Sequence, residues 1–233
     1  LSSPAVEEHF LAAHIKEQIQ RGVKPGEIAV IYRDNGDAAG PLASLRRAGI
    51  PCRVEAADDV LADQRIQRFI ALLQAVRHWG DDALLADALH ADFLSVPPLD
   101  LYKLSETARR NRRSLYDALR NADTLAGVEL ERPAELAALF KKLSSWRTVA
   151  SNKAPLDALE IIANESGFVA ATVARPDGHD TLVRLHTIFE EARTMVQVRH
   201  TATLDDFLDR LALLAEHAVR LPARQWGPGE AVQ

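Results

Sequence analysis

The chain has 233 residues, a formal net charge of −5, and 47% apolar but only 6% aromatic residues, a balance that permits a core of Leu, Ala, Val and Ile and excludes wholesale disorder. One cysteine, Cys52, excludes a disulfide framework and an all-cysteine metal site within one chain. No apolar run reaches the ~18 residues of a membrane span, and no basic-then-apolar leader opens the sequence, so no membrane partner and a cytoplasmic location are expected.

In chain order, Ser3-Pro4 starts a helix whose apolar marks are Val6, Phe10, Ala13 or His14, and Ile19, ended by Gly22. A turn at Pro25-Gly26 leads into Ile28–Tyr32, a near-continuous apolar run that reads as a strand buried on both faces. A polar loop spans Asp34–Gly40. Pro41–Ala48 reads as a short helix with Leu42 and Leu45 inward and Gly49 at its C′ position. Ile50–Val54 reads as a second strand. Helix, strand, helix, strand is an α/β fragment with too few strands for a complete sheet.

Helical periodicity then takes over. Ile66, Phe69, Ile70, Leu72, Leu73 and Val76 form a stripe over 62–78, broken at Gly80-Asp81. Asp82 can cap a helix ending near His90. Pro97-Pro98 begins another with Leu101, Leu104 and Ala108 inward, and Ser114 with Asp117 resembles a capping box. Further stripes run through Leu136, Leu143 and Trp146, through Leu156, Leu159 and Ile162, through Leu185 and Ile188, and through Leu204, Phe207, Leu208 and Leu211. RLPARQWGPGE reads as a linker, with Trp226 plugging the helical part against its parent. The expected fold is mostly α with a small α/β portion. A helical insertion emerging from an α/β domain explains this order; a free helical domain with a decorating hairpin is the alternative. The chain starts at Leu1 rather than Met, which suggests a piece of something longer.

Self-sufficient catalytic chemistry is not evident. There is no G-x-x-x-x-G-K-[ST] phosphate cradle, no G-x-G-x-x-G and no H-E-x-x-H. The histidines lie mostly singly on helices. Asp81-Asp82 and Asp205-Asp206 fall at helix starts, where carboxylates suit the exposed N–H groups. Cys52 reads as a small packed side chain. No catalytic residue, metal site or cofactor of its own is expected.

Two features could bind something. Arg33 and Asn35 follow the first expected strand, where loops stand above a sheet edge; an arginine fork suits phosphate and an asparagine suits a base edge or sugar. Residues 102–120 hold Lys103, Arg109, Arg110, Arg112, Arg113 and Arg120 against only Glu106 and Asp117. Cations at a helix C-terminus are favoured in any case, but four arginines in five residues exceed that need. Contact with nucleic-acid phosphates, docking on an acidic protein surface and a solvated basic turn all remain open. Tyr102 and Tyr116 flank the patch, and both fit apolar helix faces.

EEHFLAAHIKEQIQRGVKPGEIAVIYRDN followed by LASLRRAGIPCRV resembles superfamily 1 DNA helicases of the UvrD/Rep/PcrA type, including the RecB and AddA subunits of helicase–nucleases. RIQRFIALLQAVRHWGDDALLADALHADFL is similar to the first helices of that family's 2B domain, and APLDALEIIANESGFVAA with the long helices after it resembles the remainder. The resemblance implies a helical 2B-type insertion attached to an incomplete RecA-like 2A sheet fragment: residues 1–56 a partial 2A segment, 57–221 the 2B-like insertion, 222–233 a linker returning to 2A. It implies ATP and Mg²⁺ for a parent moving 3′ to 5′ on DNA in repair or recombination, with the ATPase motifs outside this chain and the fragment alone inactive. Implied partners are single-stranded and duplex-junction DNA, the remaining 2A and the 1A and 1B motor domains, and a helicase–nuclease complex partner. Single-stranded DNA contact carries over to Arg33 and Asn35. Where many members have a Gly-Ile-Gly turn near duplex phosphate, this chain has Ser95-Val96-Pro97, and Pro97 offers no N–H. The arginine cluster, to which the match does not extend, would take that contact instead. The competing expectation is a helical protein-interaction scaffold without nucleic-acid binding.

Overall fold

The computed structural model describes residues 4–31, 39–50, 52, 59–176 and 178–223. Among these residues every regular element is a helix, and the β pairing they contain is one isolated antiparallel bridge between Asp59 and Pro222. They divide into two units, one within 4–52 and one within 59–223.

The first unit is a helix pair. α1 (Pro4–Gln20) and α2 (Ala39–Arg47) bury Ala12 and Ile15 against Leu45 and Ile50. Ser44 Oγ donates to the Glu8 carbonyl at 3.0 Å, tying the two helices together. The inward face of α1 is Leu11, Ala12, Ile15 and Ile19, whereas Val6, Phe10, Ala13 and His14 are exposed. Gly49, at φ +70°, ends α2 as expected: its N–H donates to the Arg46 carbonyl, and that of Ile50 to the Leu45 carbonyl.

The expected α/β portion is overturned, and with it the RecA-like 2A sheet fragment. Ile28–Ile31 belongs to no strand, although Ile28 itself is extended. Ile28 and Val30 rest on the α1–α2 core, while Ala29 is exposed and Ile31 is 94% exposed. The run is therefore covered on one face, by helices. A strand buried on both faces lies in a sheet between two covering layers, and no described residue forms a ladder with this run. Ile50 and Cys52 of the second expected strand are likewise unpaired in any ladder; Tyr32, Pro51, Arg53 and Val54 lie outside the described residues.

The second unit is a helical body: α3 (Gln64–Arg77), α4 (Asp82–Leu89), α5 (Pro98–Arg110), α6 (Leu115–Arg120), α7 (Ala122–Gly127), α8 (Pro133–Asn152), α9 (Pro155–Glu165), α10 (Phe168–Val173), α11 (Gly178–Val198) and α12 (Leu204–Glu216). α3 is central and packs on α4, α8, α11 and α12. Its stripe of Ile66, Phe69, Leu72, Leu73 and Val76 is buried. Phe69 stacks on Phe168 at 4.8 Å between centroids, and Phe93 meets Phe168 edge-on at 5.2 Å. Each such side chain contributes about 1.5–3 kcal/mol by leaving water. Trp146 is fully buried and donates its indole N–H to Glu165 at 2.7 Å. Trp79 is half-buried, packed on Tyr116 and Phe140; Trp226 lies outside the described residues.

Carboxylates close the helix starts. Asp63 accepts from the N–H groups of Arg65 and Ile66 at α3. Asp81, rather than Asp82, caps α4. Asp82 reaches across instead, accepting from Leu115 N–H at 2.8 Å at the start of α6. The two ends of this unit are clasped together. Val60 N–H donates to the Leu221 carbonyl at 2.9 Å, and Leu221 N–H donates to Asp59 Oδ1 at 3.1 Å.

Candidate nucleic-acid interface

α5 places the basic residues. Pro98 occupies its first turn, where a missing N–H costs nothing. Leu101, Leu104 and Ala108 bury one face, and Asp100 beside them is 1% exposed. At 100° per residue, Leu99, Tyr102, Glu106, Arg109 and Arg110 then share the opposite face. Leu99 is 60% and Tyr102 67% exposed. Tyr116, by contrast, is buried and donates its hydroxyl to the Ala75 carbonyl at 2.9 Å; burial pushes its phenol pKa up.

Glu106 organises the arginines around it. Its carboxylate accepts from Arg109 Nη2 at 2.8 Å and Nε at 3.1 Å, and from Arg110 Nε at 2.9 Å. Hydrogen bonds from Arg109 first, then Arg110, hold its carboxyl below the usual carboxylate range. Because that pKa is depressed, the pairing is intact above the ordinary glutamate value and opens only as pH falls through the lowered one. Two guanidinium groups share one carboxylate, so the cluster keeps an excess positive charge.

α5 ends in an unusual way. Arg112 stands at φ +51°, with its N–H donating to the Arg109 carbonyl and that of Arg113 to the Ala108 carbonyl. This is the helix-ending arrangement that glycine usually fills; here an arginine fills it. Arg112 and Arg113 are exposed at this corner, and Ser114 caps α6 directly after them by accepting from Asp117 N–H.

The structure thus brings Arg109, Arg110, Arg112 and Arg113 to one exposed helix end. Lys103 is set apart: it is half-buried, and its Nζ donates to the Glu129 carbonyl at 2.5 Å. Arg33 and Asn35 lie outside the described residues. The turn before α5 has Ser95 at φ +55°, and the Pro97 carbonyl accepts from Asp100 and Leu101 N–H. Glu106, and Tyr102 as an exposed residue, are the members that sequence reasoning missed; the three-and-four spacing from Leu99 to Arg110 is the signal that could have found them. Among the described residues no three His, Cys, Asp or Glu side chains assemble in a way that could hold a metal, and no helix is long and apolar enough to cross a membrane.

No protein-family model matches the chain. Over 188 residues, 80% of its length, it is 27% identical to an ATP-dependent helicase/nuclease subunit from Pelotomaculum thermopropionicum, of which the match covers 14%. It is 31% identical over 144 residues, 61% of its length, to the ATP-dependent DNA helicase UvrD2 of Mycobacterium tuberculosis, covering 20% of that protein. A putative ATP-dependent DNA helicase of Bacillus subtilis, YjcD, is 26% identical over 164 residues, 70% of this chain and 20% of the relative. The chain spans about a fifth or less of the length of these curated relatives. The matches are distant and partial, and they link the chain to DNA helicases of the UvrD and AddA kind.

Proposed function

We propose that the chain is an accessory, DNA-contacting region of an ATP-dependent 3′-to-5′ DNA helicase or helicase–nuclease acting in repair or recombination, with residues 57–221 forming a helical module set into the larger protein. The observation that supports it best is the gathering of Arg109, Arg110, Arg112 and Arg113 at one exposed helix end, in a chain similar to DNA helicases. The average surface charge is negative, so a local patch rather than the whole surface would meet phosphate. The clasp of Val60 on Leu221 supports the inserted module, since a body set into another chain must bring its two ends together. ATP and Mg²⁺ belong, on this reading, to the motor domains of the parent: the residues present offer neither a phosphate-cradling loop nor, among those described, a metal cluster. Those motor domains, DNA, and a complex partner of the helicase–nuclease kind are its partners, in the cytoplasm.

Fluorescence anisotropy of a labelled forked DNA, titrated with the 233-residue chain at several salt concentrations, tests this. Each phosphate neutralised adds roughly −0.9 to the slope of log affinity against log salt. The expected slope is about −3 to −4, falling towards zero when Arg109, Arg110, Arg112 and Arg113 are all replaced by Glu. Binding that is unchanged in that variant rejects the patch as the contact.

A further inference from the structure

The outer face of α5 has two halves of different chemistry. Its N-terminal half shows Leu99 and Tyr102, both large and exposed; its C-terminal end shows Arg109 and Arg110, continued by Arg112 and Arg113. Tyr102 and Arg109 stand seven positions apart, about 10 Å along the axis at ~1.5 Å per residue. That matches the axial run of about three nucleotides of one strand at ~3.4 Å each. A tyrosine offers a flat π-face with low conformational entropy cost, and any base can stack on it. The arginines offer forks for phosphate. Charge complementarity favours a polyanion over an apolar partner: Glu106 answers only part of the charge of Arg109 and Arg110, and a protein helix seated on Leu99 and Tyr102 would leave the excess positive charge at the end of α5 unmet.

We infer that Tyr102 is a stacking platform for an unpaired nucleobase, so that α5 takes the junction between single-stranded and duplex DNA with a base on Tyr102 and phosphates on Arg109, Arg110, Arg112 and Arg113. The inference rests on the DNA-contacting role proposed above and adds a preference for unpaired bases. Glu106, between the two halves, keeps Arg109 and Arg110 aligned along the helix. Tyr102 is exposed, so its replacement leaves the core intact.

Three labelled probes separate this from general phosphate binding: a forked duplex with unpaired arms, a single strand, and a blunt duplex, each titrated with the 233-residue chain. Tyr102→Ala weakens binding of the first two on the order of 5- to 150-fold, the range found for loss of one base stack, and that of the blunt duplex about twofold or less. Tyr102→Phe restores the affinity. A 2-aminopurine in the unpaired arm is quenched by the native chain and by Tyr102→Phe, not by Tyr102→Ala. Equal loss on all three probes, or none, overturns the platform. If Tyr102→Ala changes nothing while the fourfold arginine variant loses binding, only the platform fails. If the native chain binds none of the probes at low salt, the DNA-contacting role fails and the platform with it.

Discussion

Arg112 holds a backbone conformation that costs a non-glycine residue roughly 1–2 kcal/mol. Glycine at that position removes the steric term but gives up more backbone entropy on folding, about 0.5–1 kcal/mol. Arg112→Gly should therefore raise stability by about 0.5–1 kcal/mol, a shift of about 1–4 °C in Tm for a chain of this size, while lowering affinity for forked DNA. Differential scanning calorimetry and anisotropy read the two effects separately. A stabilised variant with unchanged DNA affinity would remove Arg112 from the proposed phosphate contacts. Lys103, in the first half of α5, teaches the reverse lesson. Its charge is plain in the sequence, but its Nζ is engaged by a carbonyl 26 residues away, and no local pattern announces that bond.

Asp100 sets how α5 is joined to the segment that precedes α8. It is buried, and its two carboxylate oxygens accept from Glu131 N–H at 2.8 Å and Arg132 N–H at 2.9 Å. Asp100→Ala leaves two backbone donors without their partner and should cost about 3 kcal/mol; urea unfolding measures it, and a loss below about 0.5 kcal/mol would show that water replaces the carboxylate. At this scale the sequence was legible in the second unit, where one helix buries one stripe. The faces of α3, α5 and α12 stand where three-and-four spacing puts them, because a helix's inward side is a local property. Ile28–Ile31 was not legible. Four successive apolar residues look the same whether strands flank them or a helix pair covers one side, and that difference is made by residues far away in the chain. α1 misled for a related reason: Val6 and Phe10 keep helical spacing, yet α2 covers the neighbouring face of Ala12 and Ile15.

Across the second unit, one carboxylate ties the ends. Asp59 Oδ1 accepts from both Leu61 N–H and Leu221 N–H, each at 3.1 Å. Asp59→Ala should cost about 1–2 kcal/mol and speed amide hydrogen exchange at Val60, Leu61 and Leu221 while leaving the middle of α3 protected, since ends open more readily than the core. Uniform acceleration throughout the unit would mean that the clasp holds the whole body together rather than its margins.

The clasp spans a sequence separation of 162 residues. Closing so long a loop carries a large entropic penalty, and here the helical body meets it internally. To any polypeptide on either side, the body is a detour that returns to where it left. A surrounding fold can then gain or shed it at a surface loop without redrawing its own path.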